Sequence, residues 1–350
     1  MSPPDSGGLA ALRFPHVAPP PSGTAQEIAP GVRWLRMPLP FALDHINLWL
    51  VADGVGWAIV DSGIHNADTK ALWEQIFITA LDGKPVTRLI CTHYHPDHVG
   101  LAGLLTERLG VELWMTDTEW RFGYERSRAA GDGVHPLVAD MYRRAGLAPE
   151  ALATAGIARG SHYKRRVLPL PDRHHTLSDG MELILGGRNW RIVVGRGHAP
   201  EHACLFSPEL DLFIAGDQVL PKISPNVSLW PADLDPDPLG SFLLSLERLR
   251  QAVPTTSFVL PSHNLPFYGL HTRLDQLAAL HAARLDQVVS ACAEPRMVAD
   301  LVPILFTRAL DRHQLGFAIG ETLSHLVRAA KAGRLRRHER PDGVWLFERT

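Results

Sequence analysis

Four side chains that can bind a metal ion lie within six residues of one another: His93, His95, Asp97 and His98, spaced as H-x-H-x-D-H. They directly follow an apolar, strand-like stretch at residues 87–91. A loop at the end of a strand holds side chains rigidly and leaves them open to substrate. Imidazole and carboxylate groups suit zinc and other divalent first-row metals, and a catalytic site keeps one coordination position open for water. The spacing therefore predicts a catalytic metal site rather than a solvated loop that is rich in histidine.

Three further candidate ligands lie later in the chain, and each follows a short apolar run that is typical of a strand. They are His198, Asp217 and His263. Asp61 follows an earlier run of the same kind at residues 58–60. In type and order, these residues and the H-x-H-x-D-H segment resemble the metal site of the metallo-β-lactamase superfamily of binuclear metallohydrolases. The resemblance covers about residues 26 to 270.

The resemblance implies two divalent metal ions per chain, with zinc expected and iron or manganese as alternatives. The implied ligands are His93, His95 and His198 for one ion, Asp97, His98 and His263 for the other, and Asp217 as a bridge between them. Two ions a few ångströms apart can share a hydroxide, lower its pKa and polarise a substrate oxygen. Asp97 would also orient the nucleophile or accept its proton, so it is the candidate catalytic residue.

Two more residues are predicted to support the ligands without binding metal. Asp61 is expected to accept a hydrogen bond from a ligand imidazole, and a turn at the strand end explains its presence equally well. His202 follows His198 by four residues, where the family carries a histidine that is not usually a ligand. A packed or hydrogen-bonded histidine is the alternative at this position.

A mostly helical insertion is predicted at residues 117–167. Family members commonly carry extra helices here that wall the substrate cleft, and long insertions in compact domains are often functional. Trp120 and Tyr142 are therefore candidate substrate contacts, with packing onto the sandwich as the alternative. Lys222 and Asn226 are expected on a later loop near the metals, where Lys222 would bind a substrate anion or remain solvated.

The resemblance implies an α+β fold, an αββα sandwich with this helical cap, over residues 26–270, and the alternation of strands and helices fits it. Residues 1–25 are rich in Pro, Gly and Ser, which predicts a flexible segment or one draped over the surface. Residues 271–350 contain three helical stretches, the last from Glu321 to Ala332, and then a hairpin. This order resembles the small winged-helix domain of the superfamily branch that includes lactamase-like protein 2.

Charge gives little support for a nucleic-acid or membrane partner, because 35 basic and 37 acidic residues leave a net charge of −2. Winged helices often bind DNA, and four arginines lie at the predicted hairpin: Arg334, Arg336, Arg337 and Arg340. The basic stretch is short and lacks interleaved aromatic residues. It therefore favours a structural role or a subunit contact, such as a homodimer, with a small molecule as the substrate.

The chain is expected to be a cytoplasmic enzyme. No run of about 18 apolar residues predicts a membrane span, and the first residues do not have the pattern of a signal peptide. The three cysteines, Cys91, Cys204 and Cys292, form no C-x-x-C pair and lie in apolar stretches. They are expected to be buried and reduced.

The favoured function is a metal-dependent hydrolase in which a hydroxide shared by two metals attacks a small thioester, ester or lactone. Phosphodiester cleavage, including that of RNA, is the main alternative, because related proteins with this C-terminal domain include ribonucleases. The near-neutral charge disfavours a long nucleic-acid track. An iron-dependent redox enzyme and a non-enzymatic winged-helix regulator are further alternatives. The complete set of seven ligands argues against a mononuclear iron site. It also argues against a regulator whose metal site has lost its ligands.

Overall fold

Two β-sheets lie face to face and carry helices on their outer surfaces in the computed structural model, which describes residues 11–129, 136–147, 162–230 and 236–350. The first sheet contains, in spatial order, β1 (Ala25–Ala29), β2 (Val32–Pro38), β3 (His45–Asp53), β4 (Gly56–Val60), β5 (Val86–Ile90), β6 (Leu113–Thr116) and β7 (His175–Leu177). The second sheet contains β8 (Glu182–Leu185), β9 (Arg188–Gly195), β10 (His202–Ser207), β11 (Leu212–Gly216) and β12 (Phe258–Pro261). These strands are neighbours in the order in which they follow one another along the chain, so β8 and β12 form the two edges.

Ten helices lie in the described part of the chain. They are α1 (Ala67–Thr79), α2 (Pro96–Val99), α3 (Ala102–Leu109), α4 (Asp117–Arg128), α5 (Pro136–Arg144), α6 (His162–Arg166), α7 (Pro238–Ala252), α8 (Leu270–Ala291), α9 (Val298–Leu305) and α10 (Arg312–Lys331). The layers form the predicted αββα sandwich, so the prediction of an α+β fold is confirmed. None of these described helices combines the length and the apolar character that crossing a bilayer requires.

Alternation along the strands divides the interior into layers. In β3, Ile46, Leu48 and Leu50 belong to the core beneath the outer helices. Trp49 and Val51, on the opposite face of the same strand, belong to the core between the two sheets. Successive side chains of a strand face opposite sides of a sheet, so an apolar strand can serve two cores at once. This explains why the central strands are apolar on both faces.

Strand direction brings the candidate metal ligands to one edge of the sandwich. Strands β4 and β5 are parallel, and so are β11 and β12. Strand β9 runs in the same direction as β11, because both pair antiparallel with β10. The loops that follow parallel strands lie at a common edge, which is where open α/β sheets bind ligands.

Helix α8 connects the sandwich to the C-terminal domain. Leu274 and Leu277 in its first half pack into the core beside the second sheet. Val288 and Val289 in its second half pack into a separate core with α9 and α10. The domain ends in a three-stranded antiparallel sheet of β13 (Arg296–Met297), β15 (Trp345–Arg349) and β14 (Leu335–Glu339). Helices followed by a hairpin match the predicted order of elements.

One helix boundary predicted from the sequence is wrong. Helix α10 begins at Arg312, nine residues before the predicted start at Glu321. Asp311 and Gln314 form a reciprocal capping box at its start. Two glycines, Gly316 and Gly320, weaken the helical pattern in the sequence, since glycine disfavours a helix interior.

The described part of the insertion is helical, as the sequence predicts: α4, α5 and α6 lie within residues 117–167. Residues 130–135 and 148–161 fall outside the described part.

At the amino end, residues 1–10 are also outside the described part, whereas the residues that follow them lie against the sandwich. Arg13 forms an antiparallel bridge with Tyr268, and Phe14 lies near the ring of Phe267. The cysteines Cys91, Cys204 and Cys292 are all buried and unpaired.

Candidate metal centre

The seven candidate ligands lie at the carboxyl ends of strands from both sheets. The H-x-H-x-D-H segment follows β5 and includes the short helix α2, whereas His198, Asp217 and His263 follow β9, β11 and β12. Because the two sheets meet at this edge, residues that are far apart along the chain become neighbours. All seven side chains are buried or half-buried.

Three imidazoles form the first group of ligand atoms. His93 Nε2 lies 2.9 Å from His95 Nδ1 and 3.2 Å from His198 Nε2. Each residue offers one nitrogen, and these nitrogens all lie within 4.8 Å of one another. Three imidazole nitrogens with this spacing are a suitable set for zinc or a similar divalent ion.

Asp97, His98 and His263 form the second group. His263 Nε2 lies 3.4 Å from Asp97 Oδ2, and His98 Nε2 lies 3.8 Å from the same oxygen. These three side chains meet the same spacing criterion as the first group. These two groups contain the residues that the family resemblance assigns to two ions, and His93, His98 and Asp217 form a further group that overlaps both.

Asp217 lies between the two groups and presents one carboxylate oxygen to each. Its Oδ2 is 3.4 Å from His198 Nε2 in the first group. Its Oδ1 is 3.3 Å from His263 Nε2 and 3.6 Å from His98 Nε2 in the second. A carboxylate in this position can contact ions held by both groups.

Hydrogen bonds on the outer side of three ligand rings determine which nitrogen faces the centre. His98 Nδ1 donates to Asp61 Oδ2 at 2.8 Å. His263 Nδ1 donates to the main-chain oxygen of His45 at 2.7 Å, and His198 Nδ1 donates to that of Asn226 at 2.8 Å. Each of these bonds uses Nδ1 and directs Nε2 toward the centre, which is the usual arrangement around a bound metal.

Asp61 holds both His98 and the start of the metal-binding loop. Its carboxylate accepts hydrogen bonds from the main-chain N–H and the hydroxyl of Thr92, at 2.8 and 2.9 Å. Asp61 is 1% exposed and has a left-handed backbone with φ of 63°. Aspartate tolerates this conformation better than most residues other than glycine. These contacts correspond to the supporting role expected of Asp61.

His202 contacts two candidate ligands, His93 and Asp217. It belongs to none of the metal-ligand groups found in the described residues. Its Nε2 accepts the main-chain N–H of Asp217 at 3.0 Å, and its ring stacks on that of His93 with centroids 4.7 Å apart. A side chain on Gly216 would prevent this, because a Cβ there would lie 2.3 Å from the His202 ring. His202 therefore occupies a packing position next to two candidate ligands.

Within the described part of the chain, two buried polar atoms at the centre have no hydrogen-bond partner: His98 Nε2 and Asp217 Oδ1. Buried polar atoms are nearly always paired, so unpaired atoms of this kind need an explanation. Both are metal-ligand atoms, and they lie 3.6 Å apart. The residues present therefore fit a centre that holds divalent metal.

The charges within the cluster also suit a cation. Burial, together with the neighbouring His198, lowers the pKa of His95 to about 3. Burial would lower the pKa of His263 as well, but Asp217 and Asp97 outweigh it and raise that pKa to about 10. Burial raises the pKa of Asp97, yet His98 and His263 hold it at about 2. Two carboxylates that stabilise a protonated imidazole this strongly will also favour a divalent ion in place of that proton.

Glu119 is a site residue that sequence reasoning missed. It is fully buried on α4 and accepts the main-chain N–H of Tyr94 at 2.9 Å and that of Glu201 at 2.6 Å. It thereby joins the loop that carries His93 and His95 to the loop that carries His198. Its only signal in the sequence was an acidic residue in the first turn of a helix, where such residues are common.

The candidate substrate residues of the insertion have packing partners instead. Tyr142 is 2% exposed and lies in the core of the C-terminal domain, so its assignment as a substrate contact is not upheld. The apolar face of α5 packs against that domain and not against the metal centre. Trp120 donates from Nε1 to the main-chain oxygen of Pro171 at 3.0 Å and stacks on His174. Neither Pro171 nor His174 belongs to the metal centre.

The two candidates on the loop after Asp217 have different positions. Lys222 is exposed, with its Nζ 5.9 Å from the centroid of the Phe14 ring. Asn226 is half-buried and next to the centre, since its main-chain oxygen accepts the hydrogen bond from His198.

Arg166, at the end of α6, is a second residue that the sequence did not single out. Its main-chain oxygen accepts the N–H of His65, and Leu168 N–H donates to the oxygen of Gly100 directly after α2. The half-buried guanidinium lies 4.4 Å from the centroid of the Phe41 ring, and the Asp97 carboxylate interacts electrostatically with it. No hydrogen-bond acceptor for this guanidinium occurs among the described residues.

With the fold and the centre established, comparison with known sequences identifies the family. Residues 42–263 match the metallo-beta-lactamase superfamily. Residues 285–350 match the metallo-beta-lactamase-like C-terminal domain. The chain therefore belongs to the metallo-beta-lactamase superfamily, which confirms the resemblance predicted from the sequence.

Relatives and solved structures extend this similarity over both domains. The chain is 24% identical over 296 residues to the probable metallo-hydrolase YqjP of Bacillus subtilis (strain 168), covering 83% of this chain and 90% of the relative. The crystal structure of a beta-lactamase domain protein from Burkholderia ambifaria is 45% identical, with a TM-score of 0.89 and coverage of 97% and 98%. A metallo-beta-lactamase family protein from Thermus thermophilus is 28% identical, with a TM-score of 0.77 and coverage of 93% and 100%.

Proposed function

We propose that this protein is a hydrolase that uses two divalent metal ions per chain to cleave a small thioester, ester or lactone. The observation that carries the proposal is the position of Asp217 between two complete groups of ligand atoms. The designation of the Bacillus subtilis relative as a probable metallo-hydrolase supports it. Zinc is the expected metal, because five imidazoles and two carboxylates suit it, with iron or manganese as alternatives.

Bound ions would supply Lewis acidity, which activates water at neutral pH and polarises the substrate carbonyl. In the hydrolysis, the water oxygen bonds to the acyl carbon, the acyl–oxygen or acyl–sulfur bond breaks, and a proton goes to the leaving group. Asp97 is the proposed catalytic residue. Its low pKa keeps it ionised at neutral pH, so it can accept a hydrogen bond from the attacking water and orient it.

The substrate is proposed to carry an anionic group. Arg166 stacks on Phe41 beside the centre, and its guanidinium has no acceptor among the described residues. Burial lowers the pKa of Arg166, and Asp97 offsets part of that effect. A guanidinium pairs readily with a carboxylate or phosphate in a fixed geometry, often through two parallel hydrogen bonds. An acidic ester or thioester would place its charged group on Arg166 and its reacting carbonyl at the metals.

A nucleic-acid substrate is less favoured. Arg334 at the C-terminal hairpin pairs with Asp286 at 2.7 Å, and Arg340 pairs with Asp342 at 2.7 Å. These pairs reduce the positive potential that a phosphate backbone would need.

A panel of reporter substrates on protein loaded with zinc, iron or manganese would test the proposal. We expect turnover of an acidic thioester, ester or lactone, and loss of turnover in Asp97→Asn. Turnover of bis-phosphodiester reporters alone would establish the rival function. Tight oligonucleotide binding that weakens steeply as salt rises would also argue for it.

A further inference from the structure

Asn226 connects a candidate metal ligand to the C-terminal domain. Its main-chain oxygen accepts the Nδ1–H of His198 at 2.8 Å. Its side-chain amide donates to Glu321 Oε2 on α10 at 3.2 Å. Two hydrogen bonds therefore separate the imidazole of His198 from a carboxylate in the other domain.

Helix α10 holds the neighbouring main chain as well. Leu229 N–H donates to the main-chain oxygen of Gly320 at 3.0 Å. The hydroxyl of Ser228 donates to Asn226 Oδ1 at 2.6 Å and lies 3.2 Å from the main-chain oxygen of Phe317. A Cβ on Gly320 would lie 2.7 Å from the Ser228 Cβ, so this close approach requires glycine. The position of residues 226–229 thus depends on α10.

Glu321 is itself held rigidly. It is 5% exposed, and Arg284 of α8 donates to its Oε1. Arg284 and Asn226 together occupy both carboxylate oxygens. A buried carboxylate with both oxygens paired has few alternative positions, because leaving either oxygen unpaired is costly.

We propose that Glu321 is a positioning residue for the metal centre: it fixes Asn226, whose carbonyl orients the imidazole of His198. The C-terminal domain would then contribute to metal affinity without supplying a ligand. This inference rests on the proposed role of His198 as a metal ligand, but it does not depend on which substrate is cleaved.

A second metal site on the C-terminal domain is the competing explanation for Glu321. His281, Glu321 and His325 place ligand atoms within 4.8 Å of one another. However, hydrogen bonds already account for this cluster. His325 Nδ1 donates to the main-chain oxygen of Glu321 at 2.7 Å, His281 Nδ1 lies 3.1 Å from His325 Nε2, and Ser224 Oγ lies 3.3 Å from His281 Nε2. With Arg284 on the carboxylate, a cation has little to gain there.

The test compares zinc affinity in the full-length protein, measured by competition with a chelator. Glu321→Gln and Asn226→Ala remove the link at either end, and Asn226→Ala leaves the Arg284–Glu321 pair intact if Glu321→Gln folds poorly. Thr322→Val is the matched control, because Thr322 is the next residue on α10 and its buried hydroxyl has no hydrogen-bond partner among the residues that the structure describes. Thermal unfolding of the metal-free proteins reports the purely structural cost of each change.

We expect each link variant to weaken zinc binding about tenfold, the lower end of the range for residues behind a metal ligand. The double variant should be no weaker than the worse single one, because both changes break the same path. Thr322→Val should bind zinc as the unaltered protein does.

Three results would overturn the proposal. The first is unchanged zinc affinity in Asn226→Ala and Glu321→Gln, with only metal-free stability reduced. The second is the loss of one ion per chain in Glu321→Gln with the affinity of the others unchanged, which would reveal a metal at His281 and His325. The third is full zinc retention by His198→Ala. If the unaltered protein binds zinc normally but cleaves none of the reporter substrates, that result would count against the proposed hydrolase function and not against the role of Glu321.

Discussion

His202 Nε2 accepts the main-chain N–H of Asp217 at 3.0 Å. This bond joins the first residue of β10 to the loop after β11, so the imidazole fixes the main chain from which Asp217 reaches between the two ligand groups. Burial, together with the nearby His198, holds the pKa of His202 well below its usual range. The ring is therefore neutral and keeps the lone pair that this bond requires.

His198→Ala and His202→Ala should separate a ligand from a supporting residue. His198→Ala removes a nitrogen that lies 3.2 Å from His93 Nε2, so it should lose metal and activity together. His202→Ala should keep most of its metal, with reduced activity because Asp217 is less well fixed. Metal analysis after gel filtration, with His338→Ala on the C-terminal hairpin as a control, distinguishes them. Metal loss in His202→Ala and retention in His198→Ala would reverse the assignment.

Asp217→Ala should lower the metal content of the purified protein and remove activity, because one side chain contacts both ligand groups. The unaltered protein, saturated with metal, should contain about two ions per chain. Asp217→Asn keeps the shape of the side chain but loses its charge. Its metal content should therefore fall between that of Asp217→Ala and that of the unaltered protein. A firm value of one ion, or none, in the unaltered protein would disprove the two-metal proposal.

Tyr142→Ala should destabilise the protein by about 3–5 kcal/mol, as expected for a large aromatic side chain removed from a packed core. Tyr142 lies in the C-terminal core beside Met141 and Ala145. Urea unfolding measures the change, and Leu137→Ala, an exposed position on the same helix, is the control. An increase in KM with unchanged stability would instead restore Tyr142 as a substrate contact.

Stability should fall with acid because of two buried histidines near Arg284. Burial lowers the pKa of His281 to about 3 and that of His325 to about 4. In the unfolded chain both titrate near pH 6.5. Their contribution is therefore fully present above about pH 6.5 and is lost as pH falls toward 4, at up to about 1.4 kcal/mol per pH unit for each histidine.

The measurement is urea unfolding between pH 5 and 7.5. His325→Gln should reduce the dependence on pH, whereas His338→Gln on the C-terminal hairpin, outside the buried pair, should not. Identical pH dependence in all three proteins would show that the histidines of the C-terminal domain do not titrate on unfolding.

Arg166→Met should raise KM for an anionic substrate about tenfold and leave kcat nearly unchanged, as expected when a charge-assisted contact to the substrate is lost. Arg165→Met is the matched control, because Arg165 is the adjacent residue and is exposed. Equal effects of the two changes would remove Arg166 from the proposed substrate site.

Much of the metal centre could be predicted from the sequence because its determinants are local. The ligands are chemically distinctive side chains, and each directly follows an apolar run whose periodicity indicates a strand. Their order along the chain resembles that of the family, and this resemblance predicted that Asp97, His198, Asp217 and His263 would lie together, without knowledge of their distances. The sandwich could be expected from the same resemblance, with which the order of strands and helices along the chain agrees.

Only the tertiary structure decided what surrounds those ligands. The acceptors for His198 and His263 are main-chain oxygens, which every residue possesses and which no sequence pattern reveals. Glu119 and Arg166 acquire their positions from helices whose packing depends on contacts far along the chain. The sequence shows Tyr142 as an aromatic residue on an amphipathic helix, and that pattern is the same whether the side chain faces substrate or packs in a core. Which apolar surface that helix covered, a substrate cleft or the C-terminal core, depended on the free energy of burial in the whole fold and not on any local spacing.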